Sequence, residues 1–376
     1  MLAQPPALWL ILLAFVCMIG PLVFFHELGH YLVARWFKVR AETFSIGFGR
    51  EIFGWTDRLG TRWKVGWLPL GGYVKFVGDM NPASAPSPEE EIAPEAREGA
   101  FQLRPVWQRF LIVLAGPMAN FLLAILIFAA FFTFVGTLRT NVVAKIQPNT
   151  AAQAAGIVPG DRIVSVDGID TPTFPDIASV VAVRPNQTVD VELERAGQVR
   201  RLRVTLRSDV VEDGTGGKLH RGLLGIYPST DIGAPVSIFR AVPMAAAHTW
   251  RLTRSIVDTI GQLFSGQVSS KQLGGPIKIA QFAGASAQQG LLPFVELLAL
   301  FSINLGFINL LPVPMLDGGH LFFYAIEAVR RRPLSERAME WSFRGGLAAI
   351  LALLFFTTFN DLGSIGLWDR LQRLIG

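Results

Sequence analysis

The sequence predicts a polytopic α-helical membrane protein of about four transmembrane helices, with a membrane-associated β-hairpin and one α+β domain outside the bilayer. Three observations predict it. Hydrophobic residues make up 51% of the 376 positions and charged residues only 17%, with a mean hydropathy of +0.40. A water-soluble chain of this length could not hide so much apolar surface. Several uncharged runs approach the roughly 20 residues that a bilayer-spanning helix needs. Between two of these runs, 138–228 changes character to short alternating segments punctuated by Gly, Pro and Asp, the pattern of strands and turns.

The elements follow in chain order. Leu8 to Phe25 is uncharged and almost wholly apolar, and the helical pattern continues to about Phe37, so 1–37 carries the first membrane helix. Met1 to Pro6 has no Lys or Arg, which argues for a retained helix over a cleaved signal. In 38–80, Thr61-Arg62-Trp63-Lys64-Val65-Gly66-Trp67 alternates polar and apolar side chains, and glycines with Pro69 supply the turns of a hairpin whose Trp and Phe side chains suit the membrane interface or deeper. Positions 81–104 are rich in Pro, Ala and Glu and read as a solvated linker. Positions 105–137 form the second membrane helix, centred on the run from Phe110 to Gly136. The segment 229–289 is too polar to span and too apolar to leave the membrane, which predicts membrane-surface helices. Positions 290–332 hold a third membrane helix and a short following helix, and 333–376 a fourth membrane helix with a tail.

Four crossings place both termini on one side. The Lys/Arg-bearing segment between helices one and two then shares the other side with Arg330-Arg331-Arg332, and that side is expected to be cytoplasmic. The 138–228 domain falls outside, in the periplasm of a bacterium. The net charge of +5 and a pI near 9.6 do not point to nucleic acid, because the basic residues are scattered around apolar segments and form no dense basic face. A single cysteine, Cys17, excludes an intramolecular disulfide and a cysteine-based zinc finger.

The chemistry concentrates in His26-Glu27-Leu28-Gly29-His30. Histidines four apart share one helix face, which suits two nitrogens on one Zn²⁺. Glu27 points about 100° round the helix, free to act as general base on an activated water. At about 1.5 Å per residue, His26 lies roughly 27 Å from Leu8. The motif is therefore close to the far side of the hydrocarbon layer, where ionisable groups are costly and usually functional. A catalytic zinc needs a third protein ligand and one open position. Asp317 suits that role by its depth, after the third apolar run in Asn309-Leu310-Leu311-Pro312-Val313-Pro314-Met315-Leu316-Asp317-Gly318-Gly319. Its other reading is an N-cap on the following helix. His320 is a weaker ligand candidate, and His220 and His248 receive no catalytic role. Asn120, Asn304 and Asn309 sit in apolar runs. They are either interhelical glue or donors to an extended substrate backbone or oxyanion.

With these motifs in this order, the chain resembles the site-2 protease family, in particular its RseP-type members. The 138–228 segment resembles a PDZ domain through Ala151-Ala152-Gln153-Ala154-Ala155-Gly156-Ile157-Val158-Pro159-Gly160-Asp161-Arg162-Ile163 and Val166-Asp167-Gly168. The resemblance implies an intramembrane zinc endopeptidase with His26, His30 and Asp317 as zinc ligands and Glu27 as the base. It also implies that Gly47–Lys75 is a membrane-reentrant hairpin that holds the substrate as an added strand, with Trp63 and Val65 in contact, and that Asn309, Pro312 and Pro314 lie near the substrate. The expected partners are the lipid bilayer and a single-pass membrane protein, such as an anti-sigma factor or a remnant signal peptide. One PDZ-like domain is present where some members carry two. The rival readings are a catalytically idle PDZ-bearing adaptor and a zinc transporter.

Overall fold

A computed structural model of the chain describes residues 6–78, 94–136, 141–171, 173–212, 218–229, 235–264, 274–332 and 334–364. The linker read over 81–104 lies outside the described residues as far as 93, and Pro94–Gly99 forms a 3-10 turn. The C-terminal tail beyond 364 also lies outside them.

Among the described residues, four helices are long and apolar enough to cross a membrane: α1 (Leu8–Trp36), α2 (Val106–Phe134), α7 (Leu291–Leu310) and most of α9 (Glu336–Ser364). The remaining helices are α3 (Ala151–Ala154), α4 (Phe174–Ala182), α5 (Ile238–Phe264), α6 (Pro276–Gln289) and α8 (Asp317–Arg330). The chain divides into two units. The first comprises Met1–Phe128, Met244–Asp258 and Gln272–Gly376, and the second Ala129–Pro243 and Thr259–Lys271.

In the first unit the spanning helices approach closely through small residues. A Cβ on Gly29 of α1 would lie 2.3 Å from the Ala115 carbonyl oxygen and 2.8 Å from Ala119 Cβ, and one on Gly306 of α7 would lie 3.0 Å from the Pro117 carbonyl oxygen. Lipid offers no hydrophobic drive for helix association, so close van der Waals packing and interhelical hydrogen bonds must supply it. One such bond joins Ser302 Oγ on α7 to the Asn120 carbonyl at 2.8 Å. Helix α6 differs from the membrane-surface form its composition suggests. Ala283 and Gly284 are buried, and a Cβ on Gly284 would meet Ile11 Cγ1 of α1 at 2.7 Å. Its small residues let α6 sink against the bundle. Its N-terminus is held by buried Asp361 of α9, which accepts the backbone N–H groups of Gly275, Ile277 and Lys278 at 3.0–3.1 Å.

Strands β1 (Ala41–Thr56) and β2 (Arg62–Phe76) both bend, so that two strands make four adjacent rungs. Positive φ at Gly47 and Gly49, each +82°, allows the bend in β1, and Gly71 at +98° the bend in β2. Arg62, Trp63, Lys64 and Val65 pair with Thr43–Ile46 on one side and with Phe53–Thr56 on the other. Gly72–Lys75 pairs with Thr43–Ile46 on that segment's second side. The order across the sheet is therefore 53–56, 62–65, 43–46 and 72–75, and the Arg62–Val65 stretch is interior. The sheet is pinned to α1 by aromatic packing. Phe44 is buried and stacks on Trp63 with 4.2 Å between centroids, and Tyr31 packs edge-on to both rings. The Tyr31 hydroxyl and Trp63 Nε1 donate to Asp57 Oδ2, while the amides of Leu59 and Thr61 donate to Oδ1.

The second unit is α+β, as expected of a PDZ-like domain. Strands β4 (Arg162–Val166), β5 (Ile169–Asp170), β6 (Thr188–Arg195) and β7 (Gln198–Thr205) form a sheet in the order β5-β4-β6-β7. Two further pairs are β3 (Val143–Ile146) with β10 (Ile226–Pro228), and β8 (Arg207–Glu212) with β9 (Lys218–Leu223). Alternation in β6 sends Val189, Val191 and Leu193 into a core shared with Ile157, Ile163, Val166 and Ile177. Helix α4 begins with a reciprocal capping box between Thr173 and Asp176.

One buried ion pair lets this unit's pH response be stated. Burial works to raise the Asp161 carboxyl, but Arg195, which donates to both its oxygens at 2.7 Å, and the Val158 amide outweigh it and hold the group below its ordinary value. A depressed folded-state pKa stabilises at pH above the unfolded value of about 3.9 and is lost as pH falls through the folded value. Arg195→Ala leaves a buried carboxylate without its cation. With Arg195 partly exposed, the expected cost is below that of breaking a fully buried pair. Hydrogen exchange at the β4 and β6 amides is expected to accelerate at neutral pH, with less difference between the proteins near pH 3. Equal protection at neutral pH would remove the pair's stabilising role.

Candidate active site

Helix α1 presents His26 and His30 one turn apart, both buried, with their rings edge-to-face at 4.9 Å. Asp317 reaches them from the start of α8. The chain gets there by ending α7 at Leu310, just before Pro312. The Val313 amide then closes a tight turn on the Leu311 carbonyl at 2.6 Å, and Met315 takes a positive φ of +82°. A Cβ on Gly318 would lie 2.2 Å from the Leu311 carbonyl oxygen, so only glycine allows the new helix to start so near the end of the old one. The N-cap of α8 is Leu316 with no side-chain cap bond. Asp317, the first helical residue, is turned instead to the histidines. Asp317 Oδ2 lies 3.1 Å from His26 Nε2 and 3.5 Å from His30 Nε2, and the two Nε2 atoms are 3.3 Å apart.

These spacings answer whether the residues fit a zinc ion. Ligand atoms at tetrahedral corners around Zn²⁺, with bonds of roughly 2.0–2.1 Å, stand about 3.3–3.4 Å from one another. The three measured separations bracket that value, and the three residues alone form such a group among the described residues. Asp317 Oδ2 is buried without a hydrogen-bond partner.

The surroundings are built to this cluster. His30 Nδ1 lies 2.9 Å from the Ile112 carbonyl of α2. A Cβ on Gly116 would lie 2.2 Å from His30 Nε2, so Gly116 clears the volume that the ring occupies. Asn120 Nδ2 lies 3.1 Å from His26 Nδ1. Glu27 points toward β2, where the Val74 backbone lies close enough to act on its carboxylate. A Cβ on Gly72 would lie 2.6 Å from Val23 Cγ1 and 3.2 Å from Glu27 Cγ. At the start of α2, Arg109 bonds Glu327 of α8 at 2.7 Å and covers the Tyr324 ring, tying together the two helices that flank the histidines.

The chain matches a family model described as Peptidase family M50 over residues 14–353. It belongs to that family. Metalloprotease MmpA of Caulobacter vibrioides is 38% identical over 384 aligned residues, covering 94% of this chain and 95% of its own. The regulator of sigma E protease of Salmonella typhi is 32% identical, covering 94% of this chain and 98% of its own, and its 459 aligned positions exceed this chain's length. A protein of Rhizobium meliloti (strain 1021) that bears a zinc metalloprotease name is 44% identical, with 93% and 95% covered. The PDZ domain of an SdrC-like protein from Listeria monocytogenes aligns with 24% of this chain and 90% of its own at 17% identity and a TM-score of 0.20, too low to bear on the fold. As an M50 peptidase, the protein is a membrane-embedded zinc metalloendopeptidase with Zn²⁺ as its cofactor.

The other residues singled out in the sequence fare differently. Asn120 joins the cluster. Asn304 Nδ2 bonds the Leu300 carbonyl one turn back at 3.0 Å. Asn309, half-buried at the end of α7, and Pro312 and Pro314 line the broken segment that leads to Asp317. Trp63 and Val65 do not border a free strand edge, because the residues flanking them on both sides are already paired. The Trp63 ring is further committed to Phe44, Trp55 and Asp57. Their expected contact with an added substrate strand is corrected accordingly. His320 packs against Phe343 at 5.2 Å and stays outside the metal group. Sequence reading missed Gly116, the Ile112 carbonyl and the Gly72–Val74 edge. The Gly-Pro pair inside an apolar helix and the Gly71-Gly72 doublet beside strand residues were the available signals.

Proposed function

We propose that this protein cleaves the transmembrane segments of single-pass membrane proteins in regulated intramembrane proteolysis, with His26, His30 and Asp317 holding zinc and Glu27 as general base. The observation that carries the reading is the spacing of those three ligand atoms, which suits tetrahedral zinc, two of them on a helix long and apolar enough to cross a membrane, with Glu27 beside a strand edge. Bound there, zinc lowers the pKa of water and polarises a carbonyl. The Glu27 carboxylate takes a proton from the attacking water and returns it to the departing amide nitrogen. A helical substrate shields its carbonyls in i→i−4 bonds and must be extended first. The outer edge of Gly72–Phe76 suits that task, since strand addition fixes a peptide by main-chain bonds, and Gly72 and Val74 border Glu27.

Asn309, Pro312 and Pro314 are placed to flank the extended segment. The Lys/Arg-bearing 38–104 segment and Arg330–Arg332 put the cleavage near the cytoplasmic face of a bacterial inner membrane, with the PDZ-like domain in the periplasm. There it excludes substrates with bulky ectodomains or binds a new C-terminus. Similarity to a regulator of sigma E protease supports an anti-sigma factor, already trimmed outside the membrane, as substrate, with remnant signal peptides the second class. Comparative membrane proteomics of cells carrying wild-type protein or Glu27→Gln is expected to show one or a few single-pass proteins accumulating uncut in the variant. Identical membrane proteomes would count against this reading.

A further inference from the structure

We infer that Asn120 is a positioning residue that selects the metal-binding tautomer of His26 by presenting its side-chain oxygen to His26 Nδ1. The inference rests on the reading of His26 as a zinc ligand through Nε2, the atom that faces Asp317 and His30. A neutral imidazole carries one proton, so a ring that ligates through Nε2 must keep its proton on Nδ1, and that N–H needs an acceptor. His30 has one in the Ile112 carbonyl at 2.9 Å, which can only accept. Among the described residues the polar partner of His26 Nδ1 is Asn120, whose nearer atom is Nδ2 at 3.1 Å.

A donor at that position turns the Nδ1 lone pair toward itself and puts the proton on Nε2, 3.1 Å from Asp317 Oδ2. That tautomer is incompatible with ligation through Nε2. A 180° turn of the amide exchanges nitrogen and oxygen with almost no change of shape. Asn120 Oδ1 is free for this exchange, being buried with no hydrogen-bond partner, in a residue fully shielded from solvent. After the turn, Nδ1–H donates to Oδ1 and Nε2 offers its lone pair. The backbone at Asn120 is held for the purpose. Its carbonyl takes the Ser302 hydroxyl at 2.8 Å, and Gly306 lets α7 close on it, since a Cβ there would meet Asn120 Cβ at 3.3 Å. Asn120 thus does for His26 what a main-chain carbonyl does for His30, with a side chain that can serve either tautomer.

The test is zinc affinity of the purified full-length protein in detergent, by competition with a chromogenic chelator, for Asn120→Ala and Asn120→Asp. Removing an outer partner of a ligating histidine costs about 10–100-fold in affinity. Asn120→Ala is expected to lose that much. Asn120→Asp, which can only accept, is expected to stay within about threefold of wild type or to bind more tightly. Its cobalt-substituted form should keep the wild-type visible d–d bands. If the Ala variant does not fold, the isosteric Asp variant carries the test alone. An Asp variant as weak as Ala would mark a donor role and overturn the inference, as would wild-type affinity in Ala or shifted cobalt bands in Asp. Zinc retained by His26→Ala would instead remove the ligand reading beneath it.

Discussion

Glu27→Gln is expected to keep stoichiometric zinc and lose roughly 10²–10⁴-fold in cleavage rate, the range a positioned general base supplies. The amide has nearly the shape of the carboxylate and sits outside the ligand triangle of His26, His30 and Asp317. It can still lie against Gly72 of β2, but it cannot take a proton from water. The two readouts must separate: zinc by elemental analysis at one per chain, and cleavage of a reconstituted substrate abolished. A Gln variant with wild-type turnover would remove Glu27 from the proton transfer. A variant without zinc would place Glu27 in the metal site itself.

Asp317→Ala should fail in the opposite way, by losing the metal. It removes one of the three proposed ligand atoms and leaves two imidazoles whose Nε2 atoms stand 3.3 Å apart. Loss of a mere outer partner costs about 10–100-fold in affinity, so loss of the proposed anionic ligand should exceed roughly 100-fold. Activity should return in part at high zinc concentration if the fold survives. The turn that carries Asp317 makes survival the expected outcome. It is closed by main-chain contacts of Leu311, Val313 and Leu316, and by Gly346 of α9 against the Pro314 carbonyl, none of which uses the Asp317 side chain.

The parts of this site legible in the sequence are those where one residue type does one job at a fixed spacing. Two histidines four apart on an apolar helix can face the same ion only one way, and the Asp after a doubly proline-broken helix is the one acid in its run. The parts that stayed hidden depend on contacts between distant elements. Whether Arg62–Val65 or Gly72–Lys75 forms the outer strand depends on two bends, at Gly47–Gly49 and Gly71, that fold one hairpin into four rungs. Period-two alternation marks a strand but says nothing of which side is already paired. Nothing in the sequence around Gly116 marks that the His30 ring fills its missing Cβ volume. Helix α6 was read by its polarity, which fits a surface helix, whereas its Ala283-Gly284 pair decides how deeply it packs.

Everything proposed here depends on the peptide bond being broken inside the membrane by this zinc site. The most direct test reconstitutes the full-length protein in lipid vesicles with a single-pass substrate and maps the cleaved bond by mass spectrometry of both fragments. The expected bond lies within the substrate's apolar segment, toward its cytoplasmic end, and is cut only by protein with zinc and with Glu27 intact. Cleavage confined to residues outside the apolar segment, or unchanged after zinc is stripped, would contradict it.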